Sequence, residues 1–491
     1  MTPLDYAVVL VYLLASVGLG AWLGRHQKST TDYFLGGRQL PWPAVTFSVV
    51  ATETSVLTFI SIPTVAYLGD LRFVQIVFGY MVGRLVVAAL LIPAYFRGKL
   101  VTAYHFLGQR FGDTMRRTTS VTFMVTRLLA DGVRLFATAI PLAMIFKSSP
   151  RLEGLPNTDA YVLAIGVIAA ATVVYTFWGG IRAVIWMDVL QMAVYLLGAA
   201  LAAAIILNRV PHGLSEILAT AKAAGKLDWF YLGTDLTLSE FIKQPYTFFT
   251  GLITGGIFSV ASHGVDQLIM QRILTCRDVK SGQKAMAASG PVVLVQFLIF
   301  LAVGILLWAF YEGRSPQELG LQQADGLFPK FIVEEMPAGV SGLILAALFA
   351  AAMSTLSSSL SSLASATVLD LYVPLARRVR SEAELLRLSR WITLGWGVLL
   401  MGTALAFIGL KGTAVELALG VASYTYGGLL GVFLLGLLFE DVSQKHALWG
   451  FAVALVTMTV VIQTVQIAWP FYTVIGAGAA VLTGWLASRW R

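Results

Sequence analysis

Runs of about 20 apolar residues, long enough to cross a hydrocarbon core about 30 Å thick, recur along the whole of this 491-residue chain. Thirteen of them are predicted as membrane-spanning helices, centred near Leu13, Phe59, Gly83, Leu129, Gly166, Tyr195, Gly256, Phe300, Met353, Gly397, Gly427, Val456 and Ala480. The predicted fold class is therefore an all-α polytopic membrane protein. The first run, residues 3–24, lacks a basic leading region and a small-residue cleavage site, so it reads as a retained helix and not a signal peptide. The longest polar connections are residues 208–244 and 311–338. No attached soluble domain is expected.

Two of the runs are interrupted. The run at 42–67 contains Ala-Thr-Glu-Thr-Ser at 51–55, and the run at 248–276 contains Gly255-Gly256 and then Ser-His-Gly-Val-Asp-Gln at 262–267. Each opens a block of five spans, 42–207 and 245–439. One helix (3–24) precedes the blocks and two (445–488) follow. Inverted repeats with a broken helix in each half place binding sites near the membrane midplane. A third run, 345–366, is apolar but holds seven Ser and one Thr between Ser354 and Ser365. Ala351, Ser354, Thr355 and Ser358 share one helical face. Hydroxyl and carbonyl oxygens suit a hard alkali cation, whereas zinc or copper wants His or Cys. Small residues also let two membrane helices pack closely, and the segment alone fits both readings.

Composition agrees with the pattern: 57% of residues are hydrophobic, 12% are charged, and mean hydropathy is +0.78. With the N-terminus outside and the C-terminus in the cytoplasm, 21 of the 34 Lys and Arg fall in inward loops and ten in outward loops. That asymmetry follows the positive-inside rule and points to a cell membrane, in bacteria the inner one. The net charge of +8 is spread over short loops and forms no patch for nucleic acid. Cys276 is the only cysteine, which excludes an intramolecular disulfide.

Ionisable groups inside spans are costly and are functional candidates by default. Glu53 is either a ligand or the partner of an Arg such as Arg84. Asp266 and Gln267 are either ligands or caps of an unwound helix. Arg127, Asp131 and Arg134 share one helix face as a self-neutralising ion cluster or as part of a site. Asp188 lies near the inner end of its span, and His263 reads as a hydrogen-bonded core residue. No metalloprotease motif, nucleophile elbow or Cys/His cluster is present, so an enzyme is not expected. A proton-coupled carrier would use Asp188 or Glu53 as its titrating group.

The segments DYFLGGRQLPWPA (32–44), WGGIRAVIWMDVLQ (178–191), DQLIMQR (266–272) and AALFAAAMSTLSSSLSSLAS (346–365) resemble the sodium/solute symporters, a family that includes sodium–glucose cotransporters and bacterial sialic acid symporters. The resemblance implies a LeuT-like fold, sodium as the coupling ion, and uptake of a small polar organic solute by a monomer. It implies a first sodium site from the carbonyls of Ala51, Thr54 and Ala351 and the hydroxyls of Ser354 and Thr355. A second sodium site, known in some members, maps to Ser354, Ser357, Ser358 and Asp188. Solute ligands map to Glu53, Ser55, Thr58, Gln75, Arg134, Asp266 and Gln267. Leu268 stands where bacterial sugar symporters carry a gating Tyr. Glu53 accepts from hydroxyls or amines and repels an anion. A sugar, polyol, sialic acid or zwitterion is therefore expected, with monocarboxylates and amino acids as the alternative.

Overall fold

The computed structural model describes residues 2–25, 27–98, 100–147, 152–210, 213–321, 324–376, 381–408 and 414–490. Of the basic residues counted above, Lys99, Arg151, Arg377, Arg378, Arg380, Lys411 and Arg491 lie outside them.

The architecture is helical. The principal helices are α1 (Pro3–Leu23), α2 (Trp42–Glu53), α3 (Val56–Leu68), α4 (Val74–Val86), α5 (Asp113–Lys147), α6 (Asn157–Arg209), α7 (Gly255–Gly264), α8 (Gln267–Ile273), α9 (Val279–Phe310), α10 (Val340–Ala366), α11 (Glu382–Ala406), α12 (Ala414–Leu438), α13 (Gln444–Thr464) and α14 (Pro470–Arg489). Among the described residues nine helices are long and apolar enough to cross a membrane, or ten when the bent pair α2–α3 is one span. The sequence expectation of thirteen is higher. Part of the difference lies in α6, whose 53 residues extend about 80 Å at 1.5 Å per residue, more than twice a hydrocarbon core. Gly180 breaks its helical geometry with φ 53° and ψ −161°, and a Cβ there would sit 2.6 Å from the Tyr33 carbonyl.

The two interruptions have local causes. α2 ends where Thr54 turns extended (φ −83°, ψ 94°), and Ser55 restarts the chain by accepting the Thr58 amide at 3.3 Å. The halves meet at a 67° bend. α7 ends at Gly264, and Asp266 caps α8 by accepting the Leu268 amide at 2.9 Å. Arg272, one of the 21 basic residues counted in inward loops from the sequence, lies in α8 and is fully buried.

α10 is the centre of the bundle. Its most apolar stretch is 89% buried, against 17% for α1 at the periphery. It packs along α6 and touches α1, both halves of the first broken helix, α5, α8 and α11. Its first turn is capped from another helix: the buried Asp5 carboxylate of α1 accepts the amides of Gly339 and Gly342 at 2.7 and 2.9 Å. Those amides have no intrahelical partner. α4 and α7 pack backbone to backbone, because a Cβ on Gly79 or Gly83 would lie 2.0 Å from the Gly251 carbonyl or 2.3 Å from that of Gly256.

Candidate functional site

The end of α2 and the middle of α10 supply the oxygens expected to hold sodium. Ala51, Thr54 and Ala351 are fully buried, as is Ser354, and Thr355 nearly so. The Thr54 amide reaches the Val50 and Ala51 carbonyls at 3.2 Å each as the helix closes. The Thr54 side chain is held by Gln296, whose Nε2 donates to its Oγ1 at 2.6 Å. On α10 the Thr355 hydroxyl donates to the Ala351 carbonyl at 3.2 Å. The donor set consists of neutral oxygens, the chemistry an alkali cation requires.

The second set, around Asp188, contains a cation of its own. Asp188 Oδ1 accepts from Ser354 Oγ at 2.6 Å, while Oδ2 accepts from Ser48 Oγ at 2.5 Å and pairs with Arg272 Nη2 at 3.1 Å. Arg272 also donates to Ser48 Oγ (2.9 Å), to the Leu268 carbonyl (2.7 Å) and to Ser358 Oγ. Ser357 and Ser358 both donate to the Ser354 carbonyl, at 3.1 and 2.6 Å. The four predicted residues are thus brought together, but the carboxylate already has a positive partner.

Beside the break in α2–α3 lies a cavity of about 270 Å³. Its polar wall includes Glu53, Ser55, Thr58, Arg127, Arg134 and His263; its apolar and aromatic wall includes Phe73, Tyr246, Phe297 and Trp469. Of the residues expected as solute ligands, Glu53, Ser55, Thr58 and Arg134 line this cavity, and Gln75, Asp266 and Gln267 do not. Gln75 ties α4 to residues 231–246, donating to the Tyr246 carbonyl at 2.7 Å and accepting the Tyr231 amide at 3.0 Å. Gln267 accepts the Ala103 amide at 2.7 Å and donates to Ser365 Oγ at 3.0 Å. Asp266 caps α8, pairs with Arg127 and accepts from Tyr426 at 2.6 Å.

Two ion clusters line the cavity. In one, Glu53 pairs with Arg84 through one oxygen and contacts His263 Nε2 at 2.9 Å through the other. Arg84 is fully buried and is also fixed on Ser289, donating to its carbonyl at 2.7 Å. In the other, Asp131 lies 3.5 Å from Arg127 and 3.2 Å from Arg134 and accepts from Ser359 at 2.5 Å. The Arg134 side chain is 24% exposed, against 7% for Arg127, so it is the more available guanidinium. The expectation that Glu53 repels an anion is corrected here: Arg84 cancels its charge at contact distance.

A family model matches residues 33–454 and is described as the sodium:solute symporter family. The chain belongs to this family. Among curated relatives of this symporter are the sodium/sialic acid symporter NanT of Aliivibrio fischeri (30% identical, covering 99% of this chain and 93% of that protein) and the human sodium/iodide cotransporter (29%, covering 92% and 68%). The fold superposes on a solved structure described as the substrate-bound outward-open state of a Na+-coupled sialic acid symporter, with TM-score 0.88, 27% identity and 100% of this chain covered. Mhp1, a nucleobase-cation-symport-1 transporter, matches at TM-score 0.54 and 16% identity, a likeness of fold alone. Both relatives are transporters, and the LeuT-like architecture of the symporter follows from these matches.

Sequence reasoning missed the Arg127–Asp266 pair, the role of Arg272 and the place of His263 in the cavity wall. Their partners lie 139, 84 and 210 positions away, and no local spacing marks such contacts. One signal was available: each is a charged or titratable group inside a span, where an unpaired one is costly.

Proposed function

We propose that this chain is a sodium-coupled secondary active symporter that imports a small polar organic acid by alternating access and performs no chemistry on it. The observation that carries this reading is the adjacency of the two sites. Thr52, Glu53 and Ser55 line the solute cavity, and the helix that ends there packs on α10, so the carbonyls proposed to hold sodium come from the same turn. Ala51, Thr54, Ala351, Ser354 and Thr355 hold one sodium ion between elements that move relative to each other. Ion occupancy then biases the conformational equilibrium through its differential affinity for the two states. A second ion at Asp188, Ser354, Ser357 and Ser358 requires Arg272 to release Asp188, so a stoichiometry of one is the favoured reading.

The solute contacts are Glu53, Ser55, Thr58 and Arg134. With Glu53 neutralised by Arg84, the exposed edge of Arg134 favours a carboxylate on the solute. Sialic acid, named in relatives that match over nearly the full chain, heads the candidates, followed by monocarboxylates and amino acids. The repeats are assigned to 42–207 and 245–439, flanked by 3–24 and 445–488. The monomer works in the cell membrane with its N-terminus outside and its C-terminus in the cytoplasm.

A thermal-shift screen of the purified protein in sodium and in potassium buffer tests the reading. The panel covers sialic acid, sugars, polyols, amino acids and monocarboxylates. An acid that stabilises the fold only with sodium is expected. Stabilisation by the same solute to the same extent in potassium would sink the sodium assignment.

A further inference from the structure

A second pocket, away from the solute cavity, lies where α1, α6 and α11 come together. Its volume is about 390 Å³, and Ala21, Gly24, Arg25, Trp178 and Arg390 line it. The three helices reach the edge of the membrane here. α1 has 21 residues and rises about 30 Å, roughly the thickness of a hydrocarbon core, so Arg25 follows at the boundary of that core. There α1 meets the break in α6: a Cβ on Gly24 would overlap the Trp178 carbonyl, two residues before Gly180. Arg390 lies two turns into α11, after a polar first stretch with Glu382, Glu384 and Arg387. Trp22, Trp178 and Trp391 are each about half exposed, and Trp391 packs edge-on against Phe177 of α6. Exposed indoles at the ends of spanning helices mark the belt where hydrocarbon meets headgroups.

The charges in this pocket are not balanced by carboxylates. Arg25 Nε donates to the Trp22 carbonyl at 3.1 Å, and its guanidinium stands 4.9 Å from the centre of the Trp22 ring. Arg390 Nε is buried without an acceptor. Among the described residues no carboxylate pairs with either guanidinium. The acids near this end are taken by backbone amides: Asp32 accepts those of Lys28 and Ser29 at 3.1 Å each, Glu382 that of Thr30 at 2.9 Å, and Glu384 that of Ser381 at 3.2 Å. A guanidinium presents forked donors that match phosphate oxygens, and basic pockets between membrane helices take up anionic headgroups. α1 is peripheral in the bundle, so the pocket opens toward lipid. A phosphate on an acyl chain satisfies the arginines and the indoles together; a phosphate in water satisfies the arginines alone.

We propose that this pocket binds the phosphodiester of an anionic phospholipid, with Arg25 and Arg390 on the phosphate oxygens and Trp22, Trp178 and Trp391 along the glycerol and the upper acyl chains. The lipid joins α1 to α11, which no hydrogen bond or ion pair links among the described residues. A zwitterionic lipid brings its own ammonium beside the two arginines and is disfavoured. The inference is independent of the solute cavity and of the coupling ion.

The test uses the purified protein, stripped of lipid in detergent and titrated with phosphatidylglycerol, phosphatidylcholine or inorganic phosphate. Bound lipid is counted by native mass spectrometry, and the unfolding temperature is followed in parallel. Phosphatidylglycerol is expected to be retained and to stabilise the fold at concentrations where phosphatidylcholine does neither. Arg25→Gln combined with Arg390→Gln should weaken that retention by at least about tenfold, the equivalent of one hydrogen bond to a charged group. Lys284→Gln combined with Lys445→Gln removes the same charge at two other exposed positions and should leave retention unchanged. Equal loss in the two double variants would mean diffuse attraction and overturns the pocket. Equal retention of phosphatidylcholine overturns the requirement for an anionic lipid, and equal stabilisation by inorganic phosphate overturns the lipid as occupant. Should the arginine pair not fold without its side chains, Arg25→Gln alone, at an exposed residue, is compared with Lys445→Gln and must show the weaker retention.

Discussion

Glu53 stands between two functions. It lies between Ala51 and Thr54, whose carbonyls are proposed to hold sodium, and its side chain contacts His263 at the end of α7. Arg84 keeps that carboxylate tolerable in a buried setting. Removing one member of a buried pair leaves the other uncompensated, a loss of about 3–5 kcal/mol. Arg84→Met should therefore lower the unfolding temperature sharply, and the double variant Arg84→Met with Glu53→Gln should recover most of the loss; equal damage in both would mean that the pair is not coupled. Ser354→Ala removes one proposed sodium ligand. A single hydrogen-bond-strength contact of about 1.4 kcal/mol corresponds to a tenfold shift, so half-maximal uptake should need roughly ten times more sodium. An unchanged sodium dependence in a folded variant would remove Ser354 from the site. Glu53 was conspicuous in the sequence because a carboxylate in mid-span needs a reason, and Arg84 was a natural partner. Arg272 was not conspicuous. A single Arg near the end of an interrupted apolar run looks like a loop residue until Asp188, on another helix, is brought beside it.

At the scale of elements, the two broken helices differ in how legible their positions were. The polar clusters at 51–55 and 262–267 marked both interruptions, because hydroxyl and carboxyl side chains cap the backbone groups that unwinding exposes. Asp266 caps α8 by accepting the Leu268 amide, the second of the two readings its sequence allowed. The α4–α7 contact was not read from the chain. Gly79 and Gly83 share a helix face, yet only the approach of Gly251 and Gly256 shows what that face is for. This predicts a contrast. Gly83→Ala places a Cβ 2.3 Å from a backbone carbonyl and should destabilise by about 1–3 kcal/mol. Gly402→Ala on α11 meets nothing within 4 Å, and should be neutral or stabilising by up to about 1 kcal/mol through helix propensity. Unfolding temperatures of the two variants in one detergent check the difference; a tolerated Gly83→Ala would contradict the close packing.

For the whole molecule, the apolar pattern was enough to reveal a polytopic helical membrane protein, and the family-like segments pointed to a LeuT-like bundle. The solute was harder to read, because the cavity is assembled from α2, α3, α4, α5, α7, α8, α9 and α12 with residues flanking them. Its net charge depends on pairs that no single segment shows. The energetic reach of the carrier follows from stoichiometry. One positive charge moved through 100 mV supplies about 2.3 kcal/mol, and a tenfold sodium gradient adds about 1.4 kcal/mol. One sodium therefore sustains roughly several hundred-fold accumulation of a neutral or zwitterionic solute. A monoanion moving with one sodium carries no net charge, so it draws on the chemical gradient alone, about tenfold. The measurement that tests the central claim most directly is uptake into proteoliposomes of the solute found by the thermal screen, with an inward gradient of sodium or of potassium. The account predicts accumulation above the external concentration with sodium and none with potassium. Equal uptake under both gradients would contradict it.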